Sequence, residues 1–228
     1  MKVSTRLALL FICCVLACGQ AEAQYLNPKI AEKKVTVRSA VILPAKVEIT
    51  KESSKGAEMM VAESEQTSKT VSEAVGQSLE QKKITVLKSP FEGESATTDE
   101  NRRYLLADIQ TRYDALLPKL VSKSKDVKKA RFSLGDEVML LNVDKSTDAL
   151  IFIRGQGRVF TKGKTFFSLV NLFSFDFPIV FITIGIVDAR TGEVLVFTKP
   201  ASASRVLKDP KALNKLITKS LKKLPASS

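Results

Sequence analysis

No histidine and no tryptophan occur in the 228 residues, and the three cysteines, Cys13, Cys14 and Cys18, all fall within the first 18. The missing imidazole excludes Ser-His-Asp and Cys-His nucleophiles, His-bearing zinc sites and His proton transfer near neutral pH. With no Cys beyond residue 18, the remaining chain has no disulfide and no thiol nucleophile, so its core must hold it together. A G-x-S-x-G elbow is also absent. What remains for hydrolysis is carboxylate chemistry. Its candidates are Asp136 with Glu137, and Asp188 with Glu193, and they read better as a helix start and turn residues. No catalytic residue, cofactor or metal site is expected. Acid is scarce as well: 24 Asp and Glu face 36 Lys and Arg, a formal charge of +12.

The N-terminus is organised in three zones. Lys2 and Arg6 are positive, Leu7 to Ala17 is uncharged, and small residues follow. Positive, apolar, then small is the order of a secretory signal, and the apolar run is shorter than the roughly 20 residues a bilayer span requires. Two cleavage sites compete. Ala21-Glu22-Ala23 fits ordinary signal peptidase, and Val15-Leu16-Ala17-Cys18 resembles a lipobox, in which Cys18 would be lipidated. The expected organisation is therefore a signal over 1–23, a tether over 24–33 and a single α/β domain over 34–228. Removal of the signal leaves a charge of +11, which favours anionic surfaces such as phospholipid headgroups or cell-wall polymers.

Residues 34–43 alternate and then turn wholly apolar, which predicts a strand ended by Pro44. A short extended piece is expected over 46–50 and a long helix over 54–82, with Met59, Met60, Val71, Ala74, Val75, Ser78 and Leu79 inward. A brief strand over 84–87 precedes a turn-rich loop. A helix then begins near Thr98 and is interrupted at Pro118. A short helix over 137–142, a strand over 148–160 and a hairpin closed by Asp188 to Gly192 follow. Asp209-Pro210 opens a last helix that reaches about Leu224. The β-α-β start requires parallel pairing and the late hairpin antiparallel pairing. The expected fold class is α/β, with a mixed, partly parallel sheet covered by helices.

Three further features were weighed as sites. Gly157 to Thr165 ends in GKT like a phosphate loop, but five residues separate its glycines instead of four, so it reads as a hairpin turn. In the last helix Lys211, Lys215, Lys219 and Lys222 recur at steps of three or four opposite Leu213, Leu216, Ile217, Leu221 and Leu224. They are candidate contacts for an anionic surface, against the plainer reading of a core-packed helix with a solvated lysine face. No aromatic residues interleave with the lysines, so nucleic acid is not an expected partner. Phe166, Phe167, Phe173, Phe175 and Phe177 crowd one segment and are candidate contacts for a partner, the membrane or a second copy.

The strand AVILP (40–44), the helical VSEAVGQSL (71–79), the strand DALIFIRGQG (148–157) and the hairpin IGIVDARTGEVL (184–195) carry a resemblance. Together with the lipobox, they resemble the α/β envelope lipoproteins built like the N-terminal domain of TolB. The curli secretion lipoprotein and the lipoprotein activators of penicillin-binding proteins belong to the same group. The resemblance implies a periplasm-facing adaptor tethered to the outer membrane through Cys18, with Gly19 consistent with outer-membrane sorting. It transfers no functional residue beyond Cys18. The expected function is a non-catalytic envelope lipoprotein that binds another envelope protein or a cell-wall component. A subunit of an oligomeric secretion assembly is the alternative, and a carboxylate-dependent cell-wall hydrolase ranks third.

Overall fold

The computed structural model describes residues 24–53, 55–91, 99–121, 131–160, 179–198, 201–202, 209–222 and 224. Its elements in chain order are β1 (Gln24–Leu26), α1 (Pro28–Ala31), β2 (Ser39–Ile42), β3 (Lys46–Ser53), β4 (Gly56–Met59), α2 (Val61–Glu80) and β5 (Thr85–Leu87). Then come α3 (Glu100–Val121), a 3₁₀ helix (Asp136–Leu141), β6 (Ala149–Phe160), β7 (Ile179–Asp188), β8 (Val194–Thr198), β9 (Ala201–Ser202) and α4 (Pro210–Ser220).

The sheet is mixed and open, as the sequence predicts. Its order runs β1-β8-β7-β6-β2-β5, with β3 beside β6, β4 beside β3, and β9 beside β7. β6 is the organising strand. Its first residues pair in parallel with β2 (Ala40 opposite Ala149), and residues 154–160 pair in parallel with β3 (Lys46 opposite Arg154). Its other edge pairs antiparallel with β7 from Ala149 to Arg158. The hairpin turn is held by the Asp188 carboxylate, which accepts from the backbone N–H groups of Arg190 and Thr191, both at 2.9 Å.

Period-two alternation sorts β6 between two cores. Ala149, Ile151 and Ile153 face α2 and α4, and Leu150 and Phe152 face α3 and the 3₁₀ helix. On the first face Val71, Val75 and Leu79 of α2 meet Leu213 and Ile217 of α4. The Ser64 and Ser68 hydroxyls of α2, one turn apart, accept from the backbone N–H groups of Ile49 and Val47 in β3 at 2.9 and 3.0 Å.

Three expectations are corrected. Residues 24–33 are no tether. β1 pairs antiparallel with β8, Tyr25 is buried edge-on to Phe132 at 5.4 Å, and the Asn27 side chain donates to the Val194 carbonyl at 3.2 Å. The long helix starts at Val61, not residue 54, because the chain first folds back on β3 through Gly56 at φ 128°, a left-handed value that no helix uses. Met59 consequently lies exposed on β4 instead of facing inward. Pro118 does not end its helix, which runs on to Val121. It sits in the last turn, so its missing N–H removes one bond near the end and not mid-helix.

Candidate functional site

Alongside the C-terminal half of α3, two cross-strand rows form the floor of a cleft. Lys46, Arg154 and Thr183 are register partners across β3, β6 and β7, and Glu48, Gln156 and Phe181 form the next row. Asp114, Leu117, Pro118 and Val121 of α3 form one wall of the resulting cleft, whose volume is about 580 Å³. That lies within the size range of small-molecule and peptide-segment sites. Phe181 lies at its lip, 48% exposed.

Arg154 is the charged residue at the base. It follows five buried strand residues, so alternation carries its side chain to the α3 face, where 8% of it remains exposed. Its Nε donates to Asp114 Oδ1 at 2.7 Å, and its Nη1 donates to the Ile153 carbonyl at 3.1 Å. Its guanidinium carbon lies 5.7 Å from the centroid of the Tyr113 ring, which stacks on Phe152 at 4.3 Å. Nη2 has no hydrogen-bond partner among the described residues, and neither does the Tyr113 hydroxyl. A buried donor left unmade costs roughly 1–3 kcal/mol, and Nη2 carries that cost out of reach of solvent. Burial pushes the Tyr113 hydroxyl well above the ordinary phenol range, so it stays protonated. The Lys46 ammonium pairs with Glu48 at 3.1 Å, and both remain partly exposed. The cleft thus combines hydrogen-bond donors, acceptors and an aromatic edge, an arrangement suited to holding a ligand.

Sequence reasoning did not select Arg154, Asp114, Tyr113 or Phe181. One signal was available: an arginine at the end of the run ALIFI, where a strand buried on both faces should carry no charge. The four lysine candidates lie together on the exposed side of α4, opposite the buried Leu213, Ile217, Leu221 and Leu224. The apolar side is therefore consumed by the core and does not enter a membrane. Cys18 and the five phenylalanines, Phe166, Phe167, Phe173, Phe175 and Phe177, lie outside the described residues.

The carboxylate candidates are engaged structurally. Glu137 pairs with Arg112 at 3.0 Å, Glu193 with Lys29 at 2.7 Å, and Asp188 holds its turn. Asp136 begins the 3₁₀ helix. Among the described residues no cluster of metal-ligating side chains occurs, and no helix is long and apolar enough to cross a membrane.

The fold defines a mixed α/β domain with an open sheet. No protein-family model matches the chain, and no curated protein does. Solved structures are similar. A PelC dodecamer from Paraburkholderia phytofirmans is 13% identical with a TM-score of 0.40, covering 91% of this chain and 99% of that one. A variant of that dodecamer is 12% identical with a TM-score of 0.36, covering 91% of this chain and 100% of the other. At these values the likeness transfers neither a residue role nor an assembly to this chain.

Proposed function

We propose that the protein is a non-catalytic, exported envelope lipoprotein, tethered through Cys18, that works as an adaptor by binding another envelope component in the Arg154 cleft. The observation that carries this reading is the cleft of about 580 Å³ whose lining includes the Arg154–Asp114 pair, with Phe181 exposed on its lip. Binding chemistry is present there, whereas the carboxylates that a hydrolase would need are committed to Arg112, Lys29 and a turn. The export signal and the lipobox supply the compartment and the tether. The resemblance to envelope lipoproteins of the TolB N-terminal type agrees with both.

A photo-crosslinking amino acid at position 181 tests the reading in living cells. Tyr104, 74% exposed and ten residues before Asp114 on α3, serves as the control position. The expected result is a discrete adduct from position 181 that is absent from position 104 and weakened by Arg154→Met. Equal labelling from both positions, or none from 181, sinks the proposal. An adduct at twice the protein's own mass identifies the partner as a second copy and favours the secretion-assembly alternative. The tether is tested by fractionation: Cys18→Ala is expected to release the protein from membranes.

A further inference from the structure

A second surface, on the opposite face of the sheet from the cleft, carries a separate reading. Helix α4 holds three lysines and no acidic residue over its eleven positions, and its only flanking carboxylate, Asp209, is its N-cap. At 100° per residue, Lys211, Lys215 and Lys219 occupy a sector of about 80°, and Lys222 is exposed in the turn that follows the helix. From Lys211 to Lys219 the row spans about 12 Å at 1.5 Å per residue. Lys211, Lys215 and Lys222 are exposed and make no ion pair among the described residues.

Other cations lie near the helix end. The Lys82 ammonium donates to the Leu224 carbonyl at 2.7 Å, which seats the end of α2 against the end of α4. Beside it, exposed Lys83 closes α2 at φ 61°, a left-handed position where a side chain is strained and glycine is the usual occupant. The backbone N–H of Thr85 then bonds the Arg38 carbonyl at 2.8 Å, so exposed Arg38 adjoins the same end. Lys83 and Arg38 thus add cations near that end of the α2–α4 layer, where Glu80 of α2 is also exposed.

We infer that this lysine row lies flat against an anionic lipid surface, a second attachment that holds the domain with α4 toward the bilayer and the cleft turned away. Charge complementarity names the occupant. Insertion is excluded because Leu213, Ile217, Leu221 and Leu224 are spent in the core, so the contact is electrostatic and not hydrophobic. Each lysine near an anionic bilayer lowers the free energy of binding by about 1 kcal/mol, a factor of about five. The inference rests on the export reading, because only an exported chain meets that surface.

The test uses the exported and processed Cys18→Ala protein, which carries no lipid, so that vesicle binding reports the lysine row alone. Co-sedimentation is measured with phosphatidylcholine vesicles and with vesicles containing 40% phosphatidylglycerol at about 0.1 and 0.5 M salt, against the Debye lengths of about 10 Å and 4–5 Å. The expected result is binding to the anionic vesicles only, weakened by salt. The triple variant Lys211→Gln, Lys215→Gln, Lys222→Gln is expected to lose about a hundredfold in partition. A charge-matched control, Lys51→Gln, Lys55→Gln, Lys69→Gln, is expected to lose much less. Equal loss in both triples makes the effect bulk charge and overturns the inference. So does binding to neutral vesicles, or preference for a soluble polyanion over vesicles. Failure of export appears separately, as unprocessed protein in the cytoplasm.

Discussion

Arg154 concentrates the energetic tension of the molecule. Its guanidinium is nearly buried, and Asp114, its ion-pair partner among the described residues, comes from a helix 40 residues away in sequence. Removing that countercharge leaves a buried charge uncompensated, which costs about 3–5 kcal/mol for fully buried pairs. Asp114 keeps 37% exposure, so Asp114→Ala is expected at the lower edge of that range, read as a lowered urea midpoint with an unchanged slope. Its neighbour behaves oppositely. The Tyr113 hydroxyl is buried without a partner among the described residues, so Tyr113→Phe is expected to be neutral or to stabilise by up to about 1 kcal/mol. That hydroxyl lies against Gly185, where any Cβ would collide with it. Both variants belong in the same denaturation series, and a large loss in Tyr113→Phe would show that the hydroxyl has a partner.

At the scale of elements, Asn27 joins β1 to the rest of the sheet. Its side chain accepts from the Lys29 backbone N–H at 3.0 Å and donates to Val194 at 3.2 Å, while its own backbone N–H bonds Leu195 at 2.8 Å. Losing an Asn cap costs about 1 kcal/mol, and the second bond adds to this. Asn27→Ala is therefore expected to destabilise by about 1–2 kcal/mol. Hydrogen exchange is expected to show lowered protection first along β1 and β8, with β2 and β6 unaffected. Asn27→Asp keeps the cap and loses the donor, so it should fall between.

The whole molecule is basic, and two of its carboxylates, Glu137 and Asp144, are held by local hydrogen bonds. Glu137 is held below the usual carboxylate range, first by the hydrogen bond from its own backbone N–H and then by Arg112. Asp144 is depressed by its hydrogen bonds from Ser146. A depressed carboxylate contributes stability above its unfolded value, and that stability is lost as pH falls through the folded value. Acid should therefore weaken the fold gradually below about pH 4, in the window between the ordinary value and the depressed ones. Arg112→Gln is expected to move the Glu137 titration, followed by carbon NMR, back toward the ordinary range without moving Asp144.

Several elements were legible because their signals are local. Asp209 and Pro210 were read as a cap and an N1 residue, and the Asp209 carboxylate does accept from the N–H groups of Lys211 and Ala212. The turn from Asp188 to Gly192 and the apolar stripe of α4 were equally local. β1 and β4 were hidden, since three or four residues carry too little periodicity and each is defined by its partner strand. The cleft was hidden for a related reason. Its floor joins Lys46, Arg154 and Thr183, which become neighbours only through pairing across β3, β6 and β7.

By itself, the sequence determined that the chain begins with a positive, then apolar, then small-residue stretch, lacks imidazole and thiol machinery beyond residue 18, and alternates as a mixed α/β domain. Those statements depend on composition and short-range periodicity, which the chain carries at every point along its length. Only the tertiary structure decided that Gln24–Leu26 join the sheet, that the apolar side of α4 is consumed, and that Arg154 meets Asp114 at a cleft. Each of those depends on which distant segments pack together, and packing is set by the sum of burial over the whole core and not by any one stretch of residues.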